Sequence, residues 1–296
     1  MALTPFMDYL SLEKKYSPHT VQAYGNDISA FAKYCEEAFE LDRIEDIAYS
    51  LIRSWIVVLV DSGMSNRSVN RKVASLKAYY RFLLREGEIS INPLAKHVAL
   101  KTGKKVEVPF SEKEMEAVLQ LPPFEEGFEG VRDKLMITLL YTTGIRRAEL
   151  IALEFKDVDL GEKTIRVLGK RNKERIVPLL DSTVPLFFEY IKLRNALTEI
   201  ADDAHIFLTK AGRKIYETLV YRTINRYFSE VSTKVKKSPH ILRHTFATHL
   251  LNKGADLNSV KELLGHASLA STQVYTHNSI AELKKVHALA HPRNKR

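Results

Sequence analysis

The sequence predicts a mainly α-helical protein of two domains, the second containing one small antiparallel β-sheet, and three observations predict it. Apolar residues recur at helical spacing through most of the 296 residues. The period switches to alternation over one short stretch, residues 163–179. A run without any period, containing Gly103, Pro109 and several lysines, interrupts the chain about a third of the way along. The length suits two domains on a prior of roughly 100–200 residues each. Apolar residues make up 45% and charged residues 27%, which excludes disordered, collagenous and membrane classes. The longest apolar run, Ser54 to Val60, falls far short of the roughly 20 residues that span a bilayer. The N-terminus has no signal-peptide pattern, so the expected location is the cytoplasm. The single cysteine, Cys35, can form neither an internal disulfide nor a cysteine-rich zinc site and is expected in the core.

Taken in order, Ser17-Pro18 reads as an N-cap with proline at the first helical position, opening an amphipathic helix from Thr20 to Phe39. Two further helices follow at about Ile47–Asp61 and Ser65–Arg85, separated by Asp61-Ser62-Gly63, so four or five helices pack in a domain of residues 1–100. Residues 101–110 are the expected linker and 111–296 the second domain. There, Ser111 and Glu114 form a capping box, and Val131–Thr143 reads as a buried helix ending at Gly144. Lys163–Leu168 and Glu174–Leu179 are the two strands of a hairpin across Gly169–Lys173, with Ile206-Phe207-Leu208 as a candidate third strand. From Thr218 onward the spacing is helical again, with stops at Asn252-Lys253-Gly254 and Leu264-Gly265. The last helix, about Ser279–Ala290, has an apolar stripe of Ile280, Leu283, Val286, His287 and Ala290 that something must cover, its own domain being the plainest candidate.

The net charge of +9 favours a polyanionic partner, and residues 104–296 account for +8 of it. In the first domain the basic residues Arg67, Arg71, Lys72, Lys77, Arg81 and Arg85 recur on one helix that contains no acidic residue. Such a face suits the phosphates and base edges of a DNA groove, although a solvated helix face produces the same pattern.

Four segments of the second domain concentrate cations, imidazoles and a phenol. They are Thr143–Leu150, with Arg146; Gly169–Arg175, with Lys170; His240-Ile241-Leu242-Arg243-His244; and Leu264-Gly265-His266, followed nine residues later by Tyr275. In this order and spacing they resemble the tyrosine recombinase (phage integrase) family, whose signature is Arg, Lys, His-x-x-Arg, His or Trp, and Tyr. The text from Ser238 to Leu251, the run Leu263–His266 and the opening Ser17-Pro18-His19-Thr20 are similar to its Xer branch in particular. The likeness covers essentially the whole chain. Two positions depart from it: Arg147 stands where a small or β-branched residue is usual, and Arg171 where glycine often follows the hairpin lysine, which bears on how Lys170 is presented.

The chemistry of each residue type fits. Displacement at phosphorus builds negative charge on the non-bridging oxygens, and the planar forks of Arg146 and Arg243 match two oxygens at once. A helix-end salt bridge between Arg146 and Glu149 is the competing explanation of the first. Tyr275 is the candidate nucleophile, whose phosphotyrosyl ester conserves the energy of the broken strand. Its phenol needs a proton acceptor, for which His240 is the candidate. Lys170 would protonate the leaving 5′-oxygen, although ordinary phosphate contact is the competing explanation for it and for its basic neighbours Arg171, Lys173 and Arg175. His266 would donate to a non-bridging oxygen, and His244 and His249 are expected to serve the fold. The histidine spacing fits no metal motif, so no metal and no cofactor are expected, the cations neutralising the phosphate instead.

The resemblance further implies a SAM-like, core-binding N-terminal domain and a partner in double-stranded DNA clamped between the two domains. It also implies a tetramer, of this chain alone or with a second Xer-like recombinase, in which the last helix docks cyclically on a neighbour. Strand exchange through a Holliday junction, resolution of chromosome dimers and activation by a DNA translocase would follow, with no membrane involved. The absence of an additional arm-binding domain favours the Xer branch over an integrase serving a mobile element. Two more distant readings compete with these: a DNA-binding protein that does not cut, and a type IB topoisomerase.

Overall fold

The computed structural model describes residues 3–103, 107–120, 124, 126–169, 173–234, 236–265 and 277–294. The chain divides into two compact units, Met1–Lys105 and Val106–Arg296. Among the described residues no helix is long and apolar enough to cross a membrane.

The first unit contains α1 (Leu3–Asp8), which runs on as one π-helical turn over Tyr9–Glu13, then α2 (Pro18–Phe39), α3 (Tyr49–Asp61) and α4 (Asn66–Arg85). The opening helix was not legible in the sequence. Ser17 caps α2 by accepting from the Thr20 amide, and Ser65 caps α4 by accepting from Ser68. Phe6, Ile28, Phe31, Trp55, Leu76, Tyr79 and Tyr80 fill the core, with Cys35 buried among them and its thiol pushed up to about 11 by burial. The start of the interdomain stretch is tied to α4: Asn70 exchanges two hydrogen bonds with the Leu100 backbone, of 2.8 and 2.9 Å, and Asn66 donates to the Lys101 carbonyl.

The second unit is built on α6 (Phe128–Thr143), buried along nearly its whole length as its apolar sequence requires. Around it lie α5 (Glu112–Gln120), α7 (Arg147–Ile151), α8 (Val184–Asn195), α9 (Glu217–Val231), α10 (Pro239–Asn252), α11 (Leu257–Leu264) and α12 (His277–Ala290). The expected capping box forms: Ser111 N donates to Glu114 Oε2 at 2.7 Å and Glu114 N to Ser111 Oγ at 3.2 Å. Phe110, just before it, is buried, and its amide donates to Thr245 Oγ1.

The sheet is antiparallel, in the order β1 (Val158–Asp159), β2 (Thr164–Leu168), β3 (Glu174–Pro178), with Leu168 opposite Glu174 and Thr164 opposite Pro178. Ile206–Leu208 does not join it. Its backbone is occupied otherwise: the Ile206 carbonyl accepts from the Tyr190 hydroxyl and Arg194 Nε, the Ile206 amide donates to the Leu153 carbonyl, and Leu208 N donates to Tyr190 Oη. Apolar residues are in strand-like succession there, but their main-chain groups are taken by the Tyr190 and Arg194 side chains and by main-chain partners outside the sheet, including an isolated antiparallel bridge of Leu208 with Lys214.

Part of the α12 stripe is covered within its own unit, as the alternative to a neighbouring protomer requires. Leu283, His287 and Ala290 are buried in their own unit, α12 packing on α10, α11 and β3. His287 Nε2 donates to the Thr142 carbonyl at 2.6 Å, the last turn of α6 supplying the acceptor. Burial pushes the His287 imidazole down to about 4 and that of His291 well below its ordinary value, so both are neutral where they sit.

Candidate active site

Gly144 ends α6 in the left-handed region at φ 61°, and a Cβ there would lie 2.3 Å from Phe246 Cδ1. Only glycine fits that turn and that approach. The turn aims the Gly144 carbonyl at α10, where it accepts from Arg243 Nη1 at 2.6 Å. Leu264, the last residue of α11, offers a second carbonyl to Arg243 Nη2, also at 2.6 Å, before Gly265 turns the chain away at φ 63°. Arg243 is 8% exposed. Burial, then the cationic Arg146 and Arg175, push its guanidinium down to about 10, so it stays protonated at neutral pH.

Arg146 occupies the N-cap of α7 with an extended backbone. Its amide donates to Glu149 Oε2 and its Nη1 to Glu149 Oε1, both at 2.7 Å. The salt bridge set against a catalytic role therefore forms, yet no other described residue takes up the remaining N–H donors of the side chain, which is 31% exposed. Glu149 is buried. Burial alone would raise its carboxyl, but hydrogen bonds and charge from Arg175, then Arg146, hold it below the ordinary carboxylate value.

Arg175 is a correction. Expected among the hairpin's phosphate contacts, it is 4% exposed and points inward, donating Nη1 and Nη2 to Glu149 at 2.9 and 2.7 Å and Nε to the Leu263 carbonyl at 2.9 Å. Strand alternation contained the signal, since Arg175 shares the core-facing side of β3 with Val177. The hairpin base sits on this cluster: a Cβ at Gly169 would lie 3.6 Å from Arg175 Nη1 and 3.9 Å from Arg146 Nη1. Gly169 N donates to the Lys173 carbonyl at 2.8 Å, and Lys173 is exposed.

Three guanidinium groups thus converge on one carboxylate and three carbonyls, an excess of positive charge, two of the three groups buried, with N–H donors that no described residue takes up, which is what a bound anion would complete. His240, in the first turn of α10 three residues before Arg243, is exposed, and so is His244, one turn further on. Glu107, paired with Lys236 and held below the usual carboxylate range chiefly by it, lies close enough to both imidazoles to feel them. His249 does serve the fold, buried with Nδ1 2.9 Å from the Tyr141 hydroxyl. Arg147 pairs with Glu217 at 2.6 Å. Lys170, Arg171, His266 and Tyr275 lie outside the described residues.

On α4, Arg67 and Arg81 are exposed and Lys77 is half-buried, with Arg81 Nε donating to the Lys77 carbonyl. Arg71 and Lys72 are committed inward to Asp27 of α2, which is 2% exposed: Arg71 through two bonds of 2.6 and 3.0 Å, and Lys72 through one of 3.0 Å while lying over the Trp55 ring. Arg85 pairs with Glu13 and Glu86. The stripe looked unopposed because its acids come from other segments.

Residues 121–282 match the phage integrase family, and residues 3–87 match the phage integrase N-terminal SAM-like domain. The chain is 39% identical to tyrosine recombinase XerC of Chlorobaculum parvum (strain DSM 263 / NCIMB 8327), over 98% of this chain and 94% of that protein. It is 34% identical to tyrosine recombinase XerD of Staphylococcus epidermidis (strain ATCC 35984 / DSM 28319 / BCRC 17069 / CCUG 31568 / BM 3577 / RP62A), over 97% of each. Among solved structures, XerH site-specific recombinase bound to palindromic difH substrate shares the fold at a TM-score of 0.71 and 24% identity, over 93% of this chain and 81% of that one.

Proposed function

Because the chain belongs to the phage integrase family of tyrosine recombinases, which cleave and rejoin DNA through a phosphotyrosine intermediate, we propose that its cation cluster holds the scissile phosphate of a recombination site while Tyr275 attacks it. The observation that carries this reading is the convergence of Arg146 and Arg243, from separate elements, at one place with N–H donors that no described residue takes up. Family membership makes the reaction site-specific recombination.

In the proposed step, the Tyr275 phenol loses its proton to His240, its oxygen bonds to phosphorus, and the bond from phosphorus to the 5′-oxygen breaks. Lys170, between β2 and β3, gives that oxygen a proton. Arg146 and Arg243 stabilise the charge gained by the non-bridging oxygens, and His266 donates a further hydrogen bond. The reverse attack by a 5′-hydroxyl reseals the strand and returns the tyrosine. Arg67, Lys77, Arg81, Arg171 and Lys173 are the proposed DNA-backbone contacts, with a smaller share for Arg71, which is bound to Asp27 but 53% exposed; Lys72 drops out because Asp27 holds its ammonium inside.

The finer reading is Xer-type: a tetramer on double-stranded DNA, of this chain or with a second recombinase, exchanging strands through a Holliday junction to resolve chromosome dimers in the cytoplasm, under a DNA translocase. Full-length similarity to XerC and XerD proteins supports it over a mobile-element integrase.

The test uses duplexes selected from a random-sequence library by binding to this protein, then nicked near their centres so that a cleaved strand end is lost. The expected product is a protein–DNA adduct that survives SDS and maps to Tyr275, with Tyr275→Phe binding the same duplex and forming none. An adduct at another residue, or none with the wild-type chain, overturns the reading. Efficient relaxation of supercoils by a lone monomer would indicate a topoisomerase instead.

A further inference from the structure

Arg175 uses every described bond inward, so nothing in its placement offers it to DNA. It stands where three elements of the site meet: β3, on which it lies; α7, through both oxygens of Glu149; and the end of α11, through the Leu263 carbonyl. Each tie bears on one of the two guanidinium groups assigned to the phosphate.

The first tie concerns Arg146. Glu149 accepts from the Arg146 amide, from Arg146 Nη1 and from both Nη atoms of Arg175. A carboxylate has about four acceptor sites, so this one is full. With the Arg175 fork neutralising Glu149, a single side-chain bond of Arg146 orients its guanidinium and leaves the other donors for an anion. Without Arg175, Glu149 would be a buried carboxylate with one cationic partner, and it would compete with a phosphate for that partner. The second tie concerns Arg243. Arg175 Nε binds the carbonyl of Leu263, and the next carbonyl along, Leu264, is one of the two that hold the Arg243 fork. The turn above this contact has to be narrow: a Cβ at Gly265 would come within 3.0 Å of Arg175 Cδ and 3.2 Å of its Nη1. Glycine there lets the chain close over the arginine.

We propose that Arg175 is a positioning residue for strand cleavage, setting Arg146 through Glu149 and Arg243 through the end of α11 so that both forks meet one phosphate. The proposal rests on the reading of Arg146 and Arg243 as the phosphate clamp. Lysine cannot replace Arg175, because one ammonium cannot span both Glu149 oxygens and the Leu263 carbonyl at once.

The experiment uses the nicked, selected duplex with the scissile position taken from adduct mapping, prepared in two forms: a normal phosphodiester, and a neutral methylphosphonate at that position. Arg175→Lys and Arg175→Met are compared with wild type and Arg146→Met for duplex affinity and for the single-turnover rate of adduct formation. On the phosphodiester, both Arg175 variants are expected to bind within about twofold of wild type and to cleave about 100-fold more slowly, the scale for a preorganised donor lost from an anion. On the methylphosphonate, where no phosphate charge awaits the forks, the deficit should shrink to a few-fold. Equal deficits on both substrates would mean that Arg175 serves only the fold, and the proposal falls. It falls equally if either variant cleaves the phosphodiester at the wild-type rate, or if neither binds the duplex. The parent reading fails separately, through Arg146→Met: wild-type cleavage of the phosphodiester by that variant removes the clamp, whatever Arg175 does.

Discussion

Asp27 in the first unit and Glu149 in the second are both carboxylates buried among cations, and they are used differently. Asp27 of α2 takes Arg71, Lys72 and the Ser75 hydroxyl from α4, so three side chains of one helix fasten it to another. The Arg71 fork is spent on that acid although its side chain is 53% exposed. Glu149 instead gathers Arg146 and Arg175 from a helix cap and a strand, and beside them Arg243 is held by two main-chain carbonyls and, among the described residues, by no carboxylate. Carbonyl dipoles orient a guanidinium without cancelling its charge, whereas a carboxylate does both. The first arrangement cements a fold; the second keeps a cation buried and uncancelled, at a desolvation cost visible in the depressed Arg243 pKa. That uncancelled charge is what a phosphate can use.

The largest effect that would break this contrast is Arg243→Lys. A single ammonium cannot satisfy both carbonyls and also present a fork, so adduct formation on the selected duplex should fall about 10²- to 10³-fold with binding retained. Cleavage within about threefold of wild type would show that the carbonyl-held fork is not special.

Acidification should separate the units themselves. His249, His287 and His291 are buried with depressed pKa values against Tyr141, Phe246 and each other, and Arg293 also presses on His291. Because the unfolded chain binds these protons near pH 6.5 and folded His287 only near 4, the stability of the second unit is lost as pH falls through that window. His287 alone contributes on the order of 3 kcal/mol over the full shift. The protection of amides in α10 and α12, taken relative to the intrinsic exchange rate at each pH, should therefore fall between pH 6.5 and 4.5. Trp55, the single tryptophan and part of the first unit's core, should keep its fluorescence there. Simultaneous loss of both signals would refute the distinction.

The smallest effect probes α4. Arg67, exposed and without a carboxylate partner among the described residues, should on replacement by alanine reduce the salt slope of duplex binding by about one phosphate's worth. Arg71→Ala should reduce it by less, since Asp27 already holds that fork. Slopes in the opposite order would mean that Asp27 releases Arg71 to DNA.

The helices, their caps and the hairpin were readable from local chemistry. Ser17 before Pro18, the Ser111–Glu114 box, Gly144 and Gly265 are signals contained in a few adjacent residues, and each appears where it was expected. Arg146 and Arg243 were readable as residue types at characteristic spacing, because phosphate chemistry restricts which side chains can serve it. Tertiary structure decided which cations remained available. The acid that captures Lys72 lies 45 residues away in sequence, and the carboxylate and carbonyl that bury Arg175 lie 26 and 88 residues away. The cover for the α12 stripe, α6 and α10 of the same unit, is likewise distant along the chain. Helix and turn preferences act within about four residues, so they write themselves into local sequence; electrostatic pairing acts through space, and only the folded chain brings its partners within a hydrogen bond.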